Sequence, residues 1–130
     1  MAGDAWGRYR HHSAALLAAA RSDPALVARA VRTGIEQSDP LAARAVIALA
    51  AAGTAPPDAA SQLRGALAGA TGAFPVRAAQ ALHVLTGDRA WIELIARLCR
   101  TGDEAARREA AEVLAELNLN TRSPEGGRPV

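Results

Sequence analysis

The densest group of chemistry-bearing side chains lies near the start of the chain, in Trp6-Gly-Arg-Tyr-Arg-His-His12. Arg8 and Arg10 carry forked N–H donors that match a carboxylate or a phosphate, and Trp6 supplies an aromatic wall beside them. His11 and His12 are of the one residue type whose ordinary pKa lets it move a proton near neutral pH. Tyr9, Arg10, His11 and His12, with Glu36 as a carboxylate, are the candidate set for positioning a substrate and transferring protons. A structural reading competes. Trp6, Tyr9, Ser13 and Leu16 recur at helical spacing and would form the buried stripe of a first helix, which leaves Arg8, Arg10 and His11 solvated.

A second group is a column of arginines: Arg29, Arg32, Arg64, Arg97 and Arg100. Arg29…Gly34, Arg64…Gly69 and Arg97…Gly102 each read Arg-x-x-x-x-Gly. If those positions stack, they make one positive strip suited to an acidic peptide or a phosphodiester backbone. Glu36 and Glu93 lie close to it in sequence, and the chain has no lysine, few stacking aromatics and a formal charge of only +2. Nucleic acid is therefore disfavoured as a partner. Arginine stems also cover apolar helix flanks without further purpose.

The remaining reactive residue types stand alone. Cys99 sits between Leu98 and Arg100 and reads as a core residue, although Arg97 and Arg100 would favour its thiolate. His83, between Leu82 and Val84, reads as a half-buried histidine, and Trp91 as a packing residue. No His-x-x-x-His, Cys-x-x-Cys or carboxylate pair falls at ligand spacing, so neither a metal nor a cofactor is expected.

The elements that must carry these residues are helices. Alanine supplies most of the apolar half of the sequence, and only Trp6, Tyr9, Phe74 and Trp91 are aromatic. Alanine is the best helix former and loses no side-chain entropy on folding. All fifteen basic residues are arginine, a usage that points to a GC-rich bacterial genome. Asp23-Pro24, Asp39-Pro40 and Phe74-Pro75 place proline where a first helical turn tolerates it. Asp4, Asp88 and Asp103 are N-cap candidates, and Gly53, Gly87 and Gly102 are stops. Seven helices are expected, near 4–20, 24–37, 40–52, 57–70, 75–86, 89–101 and 103–117.

Alternate helices align. Ala15-Leu16, Ala48-Leu49, Ala81-Leu82 and Val113-Leu114 follow one another at intervals of 33, 33 and 32, and the Arg-x-x-x-x-Gly motif repeats in the helices between. Two helices per fixed period point to a solenoid, because one hairpin cannot bury its apolar face alone. The segments Asp39-Pro-Leu-Ala-Ala-Arg44, Pro75-Val-Arg-Ala-Ala-Gln-Ala-Leu82 and Asp103-Glu-Ala-Ala-Arg-Arg-Glu-Ala-Ala-Glu-Val-Leu114 resemble HEAT-type repeats, in which a first helix often opens Asp-Pro-x-Val-Arg. The resemblance covers residues 5–117 and departs most in the first unit, where His11 and His12 replace Arg-Ala. It implies an all-α, right-handed α-solenoid of about 3.5 two-helix repeats, with the second helices on the concave face.

The expected domain is 1–117. Its last helix sets Ala106, Ala110, Val113, Leu114 and Leu117 against Glu104, Arg108, Glu112 and Glu116, and a disordered tail is expected over 118–130. A short solenoid of this kind implies an interaction module that binds a peptide or protein partner in a concave groove, with pairing into a homodimer open. The alternative is a small tailoring enzyme acting on a ribosomal peptide. The lysinoalanine-forming proteins of lanthipeptide biosynthesis are similar in size and helical character. A single cysteine, the absence of a run of about twenty apolar residues and a start without a basic-then-apolar segment make the cytoplasm the expected location, with no membrane partner.

Overall fold

The computed structural model describes residues 4–122, and every regular element among them is a helix. They are α1 (Asp4–Tyr9), α2 (Ser13–Ser22), α3 (Pro24–Glu36), α4 (Pro40–Ala51), α5 (Ala59–Leu67), α6 (Ala73–Thr86), α7 (Ala90–Thr101) and α8 (Glu104–Arg122).

The caps follow the sequence closely. Asp23 accepts a hydrogen bond from the Leu26 N–H and Asp39 from the Leu41 N–H, each ahead of a proline in the first helical turn. Asp103 accepts from Ala106 and Asp88 from Ala90. Each bond satisfies one of the backbone donors a helix start leaves without a partner. Gly53 and Gly87 turn the chain out of α4 and α6 at φ +77° and +73°.

Two expectations are corrected. The first expected helix, 4–20, is two: His12 leaves helical geometry at φ −130°, ψ 68°, and α2 restarts at Ser13. The cause lies in what α1 must reach, since Trp6 and Arg10 both turn to Asp39, which stands beyond the end of α3. At the other end α8 continues to Arg122, past the expected boundary at 117. The rest of the expected tail, 123–130, lies outside the described residues.

Among the described residues, every substantial contact joins helices one or two places apart in chain order. The α2, α4, α6 and α8 helices touch in succession, most extensively α4 with α6, and α3 packs on α5, whereas α5 and α7 share no comparable contact. Three of the long-range side-chain hydrogen bonds keep the same measure, Trp6 to Asp39, Gly72 to Asp103 and Arg77 to Glu109, which span 33, 31 and 32 residues; Arg10 to Asp39 and Arg77 to Glu116 span 29 and 39.

Helix α6 sits at the centre and is buried on nearly all sides. Its Phe74, Ala78, Ala81 and Leu82 join the core built by α1–α5, which holds Trp6, Leu16, Val31, Val46, Leu49 and Leu63. Val76 and Ala79 face the other way, into a smaller cluster with Ile95, Ala106, Ala110 and Val113. Trp91 packs against both. Each buried Leu, Ile, Val or Phe contributes about 1.5–3 kcal/mol relative to exposure. The abundant alanines allow helices to approach closely enough to close these layers.

α6 also brings in a charge. Arg77 is 2% exposed, and its Nε donates to Glu109 Oε2 at 2.5 Å. Nη1 reaches Gln80 and Glu116, and Glu112 lies 3.7 Å from Nη2. Glu112 and Glu116, expected on the solvent side of the last helix, thus lean back over a buried guanidinium.

Candidate functional site

Two hollows gather several of the candidate residues. The larger, about 690 Å³, opens between α3 and α5 and is lined by Arg32, Glu36, Ser38, Asp58 and Gln62, with Ile35 and Gly65 in its wall. Arg32 faces Asp58 across it at 3.6 Å, both well exposed. A bridge of that kind contributes about 0–1 kcal/mol and opens readily. Gln62 Oε1 is buried without a hydrogen-bond partner, a position that costs about 1–3 kcal/mol until a donor reaches it.

Ser38 is strained at the mouth of the same hollow. It sits at φ +54°, the one non-glycine residue with positive φ among those described. Its N–H bonds the Ile35 carbonyl, and the Asp39 N–H bonds the Gly34 carbonyl, which together close the end of α3. Gly53 does the same work at the end of α4 without strain, through Gly53 to Ala50 and Thr54 to Leu49. The left-handed conformation costs a serine about 1–2 kcal/mol that glycine avoids. Non-glycine residues held in this region cluster at functional sites.

The smaller hollow, about 400 Å³, lies where α1 and α2 meet α4. Tyr9, Arg10, His11, Ser13 and Arg44 form its polar rim, and Leu16, Leu41, Ala45 and Ala48 its apolar floor. Arg10 Nε donates to Asp39 Oδ2 at 2.5 Å and Nη2 to Oδ1 at 3.3 Å. Arg10 Nη1 lies 2.8 Å from His11 Nε2. Because a guanidinium only donates, His11 accepts there, which places its ring proton on Nδ1.

Asp39 organises this corner. Burial pushes its carboxyl up, but the hydrogen bonds from Arg10, Trp6 and the Leu41 N–H outweigh that and hold it below the ordinary carboxylate range. Arg10 is raised in turn, chiefly by its hydrogen bond to Asp39.

No protein-family model, curated protein or solved structure matches the chain.

Of the proton-transfer candidates, Tyr9, Arg10 and His11 share the smaller hollow, while His12 is exposed outside its lining and Glu36 lines the other one. Trp6 is 1% exposed, with its Nε1 on Asp39, so its indole is core rather than a wall open to a ligand. Arg8 is exposed on α1. The arginine column is not gathered into one packed strip. Arg29, Arg32, Arg64, Arg97 and Arg100 lie at the surface of α3, α5 and α7, but only α3 and α5 pack together, and only Arg32 lines the cleft. The three aligned glycines differ as well: Gly34 lies buried under Trp6, Gly69 turns at φ +74°, and Gly102 stops α7 with ordinary φ.

His83 borders a small hollow with Arg89 and Ile92, and Cys99 packs into the α7–α8 cluster. Among the described residues no group of His, Cys, Asp or Glu could hold a metal ion, and no helix is long and apolar enough to cross a membrane. Sequence reasoning missed Asp39 and Arg44 as site residues. Both lie one period, 33 residues, after residues it did single out, Trp6 and His11.

Proposed function

We propose that the chain is a short HEAT-like α-solenoid module of about 3.5 two-helix repeats that binds a peptide or protein segment in the cleft between α3 and α5. The neighbour-only contacts among helices and the 31–33-residue spacing of three cross-helix hydrogen bonds support the solenoid. The observation that carries the binding reading is the cleft itself. It is about 690 Å³, within the usual range for ligand sites, and has charges of both signs on its rim. A peptide backbone supplies N–H donors for Gln62 and Glu36, and its side chains can exchange for the weak Arg32–Asp58 bridge.

Gly65 gives a clean test. It lies in the cleft wall within α5, and a Cβ built there meets nothing within 4 Å. Gly65→Trp therefore fills the cleft from an unstrained position. Peptides selected from a random display library against the full chain are expected to lose binding at least tenfold to Gly65→Trp and to Arg32→Glu. A library that yields no peptide above background, or peptides indifferent to both substitutions, rules the cleft out.

The second reading, a tailoring enzyme acting on a ribosomal peptide, is favoured by the grouping of Tyr9, Arg10 and His11 around one hollow. Its chemistry would rest on proximity, with Tyr9, Arg10 and His11 positioning the peptide and His11 able to take a proton once Nε2 is released from Arg10. Turnover of a dehydrated precursor peptide, lost in His11→Gln, is the observation that would establish it.

A further inference from the structure

We infer that the hollow between α1, α2 and α4 is a binding site for an apolar monocarboxylate, with Arg44 as the residue that takes the carboxylate. This rests on a different set of residues from the α3–α5 cleft and stands or falls separately.

The charge in this hollow selects the ligand's charge. Three groups on the rim can be cationic: Arg10, His11 and Arg44. Arg10 is neutralised by Asp39, which holds it through two hydrogen bonds. His11 accepts from Arg10 and is neutral in that arrangement. Arg44 makes no hydrogen bond or ion pair among the described residues, and it is exposed on α4 at the edge of the hollow. One uncompensated positive charge remains. A monoanion balances it; a phosphate dianion would bring a second negative charge within reach of Asp39, with nothing to offset it.

The floor selects the body. Leu16, Leu41, Ala45 and Ala48 are apolar, and among the described residues no carboxylate borders the hollow directly. A ligand lying on them buries an alkyl or aryl group while its head meets the fork of Arg44. The rim adds directional groups. The Tyr9 and Ser13 hydroxyls have no partner among the described residues, and Arg10 keeps one N–H on each terminal nitrogen beyond those it already donates. A volume of about 400 Å³ accommodates a single large side chain or a short acyl chain, not a folded partner.

The counterpart of Arg44 in the next unit has a structural role that Arg44 lacks. Arg77 occupies the same place in Arg-Ala-x-x-Ala-Leu but is buried against Glu109, 32 residues on. The residue 32 beyond Arg44 is Val76, which lies in the core and offers no anion. Arg44 is left to solvent, beside an apolar hollow, without an internal partner.

An apolar monocarboxylate can reach the site as a free acid or as the C-terminus of a peptide ending in an apolar residue. Four probes separate the cases by NMR titration of the full chain: octanoate, acetyl-Ala-Ala-Leu with a free C-terminus, the same tripeptide amidated, and inorganic phosphate. At least one of the two carboxylates is expected to saturate with a Kd on the order of 1 mM, shifting the amides of Leu41, Arg44, Ala45 and Ala48. The amide and phosphate are expected to bind at least tenfold more weakly. Octanoate alone would mark a free-acid site, and the tripeptide alone a C-terminus reader. Arg44→Gln, whose melting temperature should match the parent, is expected to weaken the carboxylate at least tenfold, and Ala48→Leu, which fills the floor, to weaken it similarly. Equal binding of acid and amide, phosphate binding tighter than both carboxylates, no saturable shift by about 10 mM, or full affinity in Arg44→Gln would each overturn the assignment.

Discussion

The indole Nε1 of Trp6 donates to Oδ2 of Asp39 at 2.9 Å, and both residues are buried. The same carboxylate caps α4 through Leu41 and receives Arg10, so one side chain joins the start of α4 to α1. Replacing Asp39 with alanine removes a cap, strands a buried indole N–H and leaves Arg10 without its anion. The loss is expected to be about 2–4 kcal/mol, the sum of a cap and a broken partly buried polar network. Urea denaturation followed by circular dichroism measures it. Asp39→Asn, which keeps an acceptor but not the charge, should recover part of the loss.

Three small-residue positions should respond with opposite signs. A Cβ on Gly34 would lie 2.7 Å from the Trp6 ring and 2.8 Å from Ala42 Cβ, inside a packed core. Gly34→Ala is expected to destabilise by about 1–3 kcal/mol despite alanine's better helix propensity. Gly65→Ala meets nothing and should stabilise by about 0.5–1 kcal/mol. Ser38→Gly relieves a positive φ and should also stabilise, by about 1 kcal/mol. Chemical denaturation midpoints of the three variants give the comparison, and a stabilised Gly34→Ala would mean that Trp6 does not lie over α3.

Acid should unfold the chain through Asp39 and Asp103. Both carboxyls are held below their ordinary value. For Asp39 burial opposes the shift and is outweighed by hydrogen bonds; for Asp103 the Ala106 N–H leads, followed by the Gly72 N–H from the start of α6. A carboxyl depressed in the folded state contributes stability that is present above its unfolded pKa, about 4, and is lost as pH falls through the folded value. Melting temperature should therefore hold from neutrality to about pH 5 and drop below about pH 4. Asp103→Asn is expected to melt lower at neutral pH and to lose less on acidification. An unchanged acid limb in that variant would remove Asp103 from the account.

Much of this architecture was legible because its signals are local or periodic. Asp-Pro pairs, glycine stops and recurring Ala-Leu positions marked most of the helices to within a few residues, and Leu16, Leu49, Leu82 and Val113 are all buried. What the sequence hid was direction. Nothing local in Tyr9-Arg10-His11-His12 signals a helix break; it follows from the pull of Asp39, 29 residues away from Arg10. The site was half legible for the same reason. Residue types marked the Trp6–His12 segment, but its apolar floor and the freedom of Arg44 depend on which helix packs beside it. Likewise the arginine column looked continuous in sequence, while α5 and α7 do not pack together as α3 and α5 do.

Arg77 and Glu109 offer the sharpest energetic test of how neighbouring helices are joined. The guanidinium is nearly inaccessible, and Glu109 meets it at 2.5 Å, while Glu112 and Glu116 approach from the exposed side. Glu109→Ala leaves a buried cation with Gln80 and only two solvent-screened anions, and is expected to cost about 2–4 kcal/mol. Arg77→Met removes the cation instead and fills the same space with apolar volume, relieving Glu109 to solvent. The double variant Arg77→Met/Glu109→Leu should be more stable than Glu109→Ala alone, because no buried charge remains without a counterpart. Equilibrium denaturation of the single and double variants measures both comparisons. If Glu109→Ala proved neutral, the outer glutamates of α8 would suffice for Arg77, and Glu109 would not be what joins α6 to α8.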